Sequence, residues 1–138
     1  MAVTYATALK TNRMQLVADL IDTLTVVASS GSHVAGKIVI GTSAMGSTIV
    51  TIPFNTTCGT VTSGVLNFAT TPTALSAVAS LAGTNTAAAA VLQNNAGTGI
   101  TVSPYLSVGT SATDIILNST SVTQGQTVTL TSGSITHG

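Results

Sequence analysis

The chain is expected to be mainly β: an antiparallel β-sandwich or small barrel-like fold with one N-terminal amphipathic α-helix. Three observations predict this. Apolar residues recur every three or four positions only within residues 7–24. From Lys37 onward the pattern changes to short alternating segments separated by Gly, Ser and Asn. A length of 138 residues suits one domain, 1–138, with 7–24 as the helix and 37–138 as the β-rich body.

In the helix, Met14, Val17, Leu20 or Ile21, and Leu24 form the apolar stripe, widened by Leu9 and Leu16. Leu20 is expected to pack on the sheet. Thr4 or Thr7 is placed to cap the start, and the β-branched run Thr25-Val26-Val27 followed by Ser-Ser-Gly-Ser closes the helix. Its charges oppose the helix dipole, with Lys10 and Arg13 toward the N-terminus and Asp19 and Asp22 toward the C-terminus. Asp19 and Asp22, three apart, read as solvated aspartates with no special chemistry. Because nearly all the charge of the chain lies here, Lys10, Arg13, Asp19 and Asp22 are the candidate assembly contacts, where complementary potentials would fix the register of a neighbouring subunit.

The strands follow in order: Lys37–Ile40, Thr48–Phe54, Val65–Ala69, Leu75–Leu81, Ala88–Gln93, Gly99–Ser103, Leu106–Val108, Ile115–Asn118, Thr127–Thr131 and Ser134–Thr136. Val50, Ile52 and Phe54 share one face and Thr51 the other; Val128 and Leu130 oppose Thr127, Thr129 and Thr131. One wetted face per strand indicates antiparallel pairing. The segment Leu75–Gln93 is ambiguous, since Ala87–Ala90 would equally suit a helix; divided by Gly83-Thr84-Asn85, it is taken as strands. Ile115–His137 is expected to form an integral hairpin around Gln124-Gly125-Gln126. Two stretches look alike, IVIGTSAMGSTIVTI from Ile38 and LSVGTSATDIILN from Leu106, each running strand, Gly-Thr-Ser-Ala turn, strand.

Composition bounds the function. Charged residues are 4% of the chain, three basic and three acidic, and beyond Lys37 only Asp114 carries charge. Soluble domains average about 25% charged, and a net charge near zero favours association. With two Phe, two Tyr and no Trp, the core is built from Val, Ile, Leu and Ala. A homo-oligomer is therefore expected, its interface completing the apolar burial. No segment approaches the roughly 18 consecutive apolar residues of a membrane span, and the start lacks the pattern of a secretory signal. Two lysines and one arginine offer no basic stripe for nucleic acid. Two histidines (His33, His137), one cysteine (Cys58), three aspartates and no glutamate give neither a metal-ligand spacing nor a catalytic motif. Catalytic, cofactor and metal residues are thus expected to be none, and Cys58 is expected to be a small buried hydrophobe.

The run MAVTYATALKTNRMQLVADLID, the segment GKIVIGTSAMGSTIVTIPFN, and the stretch LSVGTSATDIILNSTSVTQGQTVTLTSGSITHG from Leu106 to Gly138 resemble small virion proteins of tailed bacteriophages. Their order and the closing Ile135–Gly138 carry the resemblance; Ala69–Thr98 carries less. It implies a non-enzymatic virion structural protein in many copies, a capsid decoration or cement protein stabilising the head lattice. The alternatives are a tail, collar or head–tail joining component, and a surface glycan- or receptor-binding module. The implied partners are the chain itself, with a trimer suiting local three-fold lattice positions, and the major capsid protein, without nucleic acid or membrane. The implied location is the virion, with synthesis in the host bacterial cytoplasm.

Overall fold

A computed structural model describes residues 3–23, 33–55, 57–70, 74–102 and 104–136. Helix α1 (Thr7–Ile21) is followed by β1 (Lys37–Gly41), β2 (Thr48–Pro53), β3 (Gly59–Thr62), β4 (Val65–Phe68), β5 (Leu75–Val78) and β6 (Thr84–Thr86). Then come β7 (Ala89–Gln93), β8 (Leu106–Gly109), β9 (Ile115–Leu117), β10 (Ser121–Thr123) and β11 (Thr127–Thr136). The fold is mainly β, a curled sheet forming a half-barrel with one helix near the N-terminus.

The main sheet runs in the order β2-β1-β7-β8-β9-β11-β4-β3, with β5 also pairing β11. Past the end of β5, the Ser80 N–H donates to the Ile49 carbonyl of β2 at 3.0 Å, which brings β2 beside β5 across the curl. Strand β11 organises the whole. Its first part pairs β5, from Thr127↔Val78 to Leu130↔Leu75; its middle pairs β9, with Leu130↔Leu117 and Gly133↔Ile115; its last part pairs β4, with Ser134↔Asn67. A bulge between Leu130 and Ser132 accompanies the change of partner. Gly133 is needed there because a Cβ would lie 2.5 Å from Phe68 Cδ2. A separate two-stranded sheet pairs β10 with β6, and Val122 seals it onto the core at 1% exposure.

The core is aliphatic, as the composition requires. Ile38, Ile40, Ile49, Val50, Ile52, Leu66, Leu92, Ile115, Leu117 and Leu130 are buried on the inner face. Phe54 and Phe68 meet with ring centroids 5.2 Å apart, a tilted aromatic pair within the favourable range. Alternation in β2 and β11 is as the residues dictate, and Ala89–Gln93 is strand rather than helix.

Several elements differ from expectation. Gly99–Ser103 contributes only a bridge at Gly99 to Gln93, with Ser103 outside the described residues. Strands β3, β6 and β10 lie outside the expected strands, and Thr84-Asn85, expected to divide two strands, lies within β6. The two C-terminal segments are one continuous strand, β11, and β9 pairs with it while β10 departs to the small sheet. His137 lies outside the described residues.

The two Gly-Thr-Ser-Ala segments share one backbone feature: Ala44 and Ala112 both take φ 53°, in the left-handed region. Their products differ. After the first, β1 and β2 pair antiparallel; after the second, β8 and β9 pair parallel, Val108 opposite Ile115. Parallel neighbours normally need a crossover of a dozen or more residues. Here a few suffice because Asp114 is tied back to Ser107: its Oδ2 accepts the Ser107 N–H at 2.9 Å and the Ser107 hydroxyl at 2.7 Å, and its own N–H donates to Ser107 Oγ at 3.0 Å.

Helix α1 lies on β3 and β4. Ser63 and Gly64, both at positive φ (51° and 81°), form the two-residue hairpin turn between those strands. A Cβ on Gly64 would stand 2.9 Å from Lys10 Cβ, so this glycine sets how closely the helix approaches.

Candidate functional site

The helix is apolar on two faces. Inward, Met14, Ala18 and Ile21 are 2%, 4% and 0% exposed against the sheet. Outward, Leu9, Leu16 and Leu20 remain 40%, 40% and 44% exposed. Leu20 therefore does not pack on the sheet; Ile21 takes that place, because at 3.6 residues per turn neighbouring positions point about 100° apart. Leu24 lies outside the described residues. With Ala6 and Arg13, the outer leucines follow the alternating three- and four-residue spacing of a helix-packing seam. Val3 and Tyr5, also exposed, extend it before the first turn. Arg13 lies 4.1 Å over the Tyr5 ring, a cation–π contact that keeps its guanidinium beside the seam.

Of the four candidate assembly contacts, Lys10 and Arg13 are half-buried on the helix flank, whereas Asp19 and Asp22 turn inward. Reading the two aspartates as solvated is thus corrected: they are 1% and 4% exposed. Asp19 Oδ1 accepts from Gln15 Nε2 at 2.9 Å. Asp22 follows the last turn of α1, where its N–H still donates to the Ala18 carbonyl and its carbonyl accepts the Val34 N–H. Its carboxylate accepts the Cys58 N–H, at 2.8 Å to Oδ1 and 3.1 Å to Oδ2, and His33 Nδ1 stands 3.5 Å from Oδ2. Burial raises the Asp22 pKa above its ordinary value, opposed by the Cys58 N–H and by His33. The sequence held no signal for this arrangement, because the donor that draws Asp22 inward is a backbone N–H thirty-six positions away.

Asp22, His33 and Cys58 bring an acid, an imidazole and a thiol together, yet the thiol is built to be inert. Cys58 is 0% exposed, its sulfur faces the Ala18 carbonyl at 3.8 Å, and burial together with the nearby Asp22 carboxylate pushes its pKa far up. A thiol held protonated is neither nucleophile nor metal ligand. Cys58 is thus the buried hydrophobe expected, with its N–H as the structural contact. Among the described residues, no group of three or more His, Cys, Asp or Glu converges as for a metal.

The remaining feature of this end is the edge of β3, last in the sheet order and without a second strand partner among the described residues, with Thr60 and Thr62 exposed. An unpaired edge presents main-chain donors and acceptors to another chain. No protein family, curated protein or solved structure matches this chain.

Proposed function

We propose that this protein is a non-enzymatic structural subunit of a bacteriophage virion, a capsid decoration or cement protein that binds the head lattice through copies of itself and the major capsid protein. The observation that carries the reading is the exposed seam of Leu9, Leu16 and Leu20 on a helix already docked by its opposite face. Leaving three large leucines wet forgoes roughly 25 cal/mol for each Å² of apolar area that a partner would cover. A surface of 4% charged chain opposes such contact with little ionic repulsion, and the β3 edge beside the helix adds main-chain hydrogen bonds to it. A trimer suits the local three-fold positions of a shell, and a subunit that binds the assembled lattice better than loose capsid protein stabilises the shell by mass action.

The test joins sedimentation of the purified protein, its binding to capsids that lack it, and its copy number against the major capsid band. Oligomers that bind such capsids in lattice proportion support the reading. A stable monomer that ignores capsids overturns it. A copy number limited to one ring transfers the protein to the head–tail joint or tail.

A further inference from the structure

Where β9, β11 and β4 lie side by side, the sheet carries a solvent-open groove of about 210 Å³ lined by Asn67, Thr113, Asp114, Ile116, Ser132, Gly133 and Ser134. The register explains the grouping. Ser132 is opposite Ile116 and Ser134 opposite Asn67, so the three strands bring an amide, two hydroxyls and one apolar side chain together. These face outward, because the position between the two serines, Gly133, is turned onto Phe68 and Ile115 of the interior. Asp114 stands beside them. It is the sole charged residue after Lys37, and it lines this groove.

The carboxylate is held in place before any ligand arrives. Oδ2 is engaged by the Ser107 N–H and hydroxyl, and the Asp114 carbonyl accepts the Ser134 N–H at 3.0 Å. Oδ1 remains as an acceptor with no protein donor among the described residues, and no cation lines the groove. An acceptor of this strength, fixed beside an amide and hydroxyls, suits a ligand that brings several O–H groups of its own. The other ligand classes fit worse. An anion meets Asp114 with like charge. A calcium ion wants six to eight oxygens and more than one carboxylate. A purely apolar ligand would strand the hydroxyls, at a cost for each unpaired group.

We propose that this groove is a carbohydrate subsite that takes one neutral hexose unit. Sugar hydroxyls donate to Asp114 Oδ1, the Asn67 amide and the Ser132 and Ser134 hydroxyls complete the ring of hydrogen bonds, and Ile116 with the Thr113 methyl meets the C–H face of the sugar. With no aromatic platform and an open rim, single-site affinity is weak. The inference concerns the single chain and stands apart from assembly, although many copies on one particle would convert weak sites into avid attachment.

The experiment is a ¹⁵N–¹H correlation titration of the full chain with glucose, galactose, mannose and N-acetylglucosamine separately, and with calcium chloride as a separate arm. The expected result is saturable shifts for at least one sugar, clustered at Asn67, residues 113–116 and residues 132–134. Affinity should fall about tenfold or more in Asn67→Ala and in Asp114→Asn, each losing hydrogen bonds to the ligand. Asp114→Asn keeps an oxygen for Ser107 while turning an N–H₂ to the groove, and exposed Asn67 can be truncated without loss of fold, so unchanged spectral dispersion accompanies the loss. Four results overturn the proposal: no saturable shift with any sugar, shifts scattered over the threonine-rich strands, calcium shifts without sugar shifts, or undiminished binding in both variants.

Discussion

Met14, Ala18 and Ile21 on one side of α1 are sealed against β3 and β4, whereas Leu9, Leu16 and Leu20 on the other stay 40%, 40% and 44% exposed. By apolar bulk alone the outer face is the better candidate for burial. The inner face is chosen by polar and steric detail: Asp22 satisfies the Cys58 N–H, and Gly64 lets the backbone approach Lys10. The difference teaches that apolar periodicity locates a helix, while its rotation about its own axis is set by the few groups that cannot be left unpaired. A face rejected by the domain core in this way is the one available to a partner.

Five experiments break or sharpen that comparison. The largest effect on stability belongs to Ile21→Ala, which removes a fully buried side chain and should cost about 2–5 kcal/mol in denaturant unfolding. An unchanged midpoint would mean that the inner face had been assigned wrongly. Next is Asp22→Ala, which leaves the buried Cys58 N–H without its acceptor and should cost about 1–3 kcal/mol.

Asp22→Asn keeps an acceptor oxygen and tests the charge alone. The Asp22 pKa is raised in the folded state, so its contribution to stability is complete below its ordinary value of 3.8 and is lost as pH rises through the raised folded value. The asparagine variant should lack that decline, seen as a flatter stability-versus-pH curve above 3.8 than the parent shows. A curve with the parent's slope would place the titration elsewhere.

On the outer face, replacing Leu9, Leu16 and Leu20 together by Gln should move unfolding by no more than about 0.5 kcal/mol per site while abolishing self-association in sedimentation. Unfolding of the triple variant, or oligomers that persist, would erase the distinction between the faces. The smallest effect is expected of Tyr5→Ala, which removes the ring beneath Arg13 and should cost at most about 0.5–1 kcal/mol at an exposed site, read by thermal unfolding.

Legibility in the sequence follows the range of the interactions involved. Strands β2, β4 and β9 announce themselves because they alternate against one core, and β1 and β7 because each is a short, nearly continuous apolar run. The turn Ser63-Gly64 with Thr60, Thr62 and Val65 around it also signals a hairpin, but a weaker one, because threonines rather than large apolar residues carry β3. Strands β6 and β10, three residues each, exist only because they find one another, with Thr84 and Thr123 hydroxyls 2.9 Å apart. The Gly-Thr-Ser-Ala pair shows the limit from another side: both alanines take φ 53°, yet one segment leads to antiparallel strands and the other, with Asp114 tied back to Ser107, to parallel ones. For the candidate assembly surface, the sequence pointed to the helix charges Lys10, Arg13, Asp19 and Asp22 and placed Leu20 on the sheet, whereas the two aspartates turn inward and Leu9, Leu16 and Leu20 remain outside.

Strand β11 has a consequence for how the chain reaches this structure. It touches β5, β9 and β4 in succession, so three parts of the sheet stay without a common neighbour until residues 127–136 leave the ribosome. Pairings this distant in sequence form slowly, since the chain between them must be closed before any contact rewards it. Until then the edges of β4, β5 and β9 lack the partner that β11 supplies, and nascent chains crowded on one message would meet each other's edges as readily as their own β11. Slow synthesis or a bound chaperone at that stage would raise the yield of folded protein without altering its final stability.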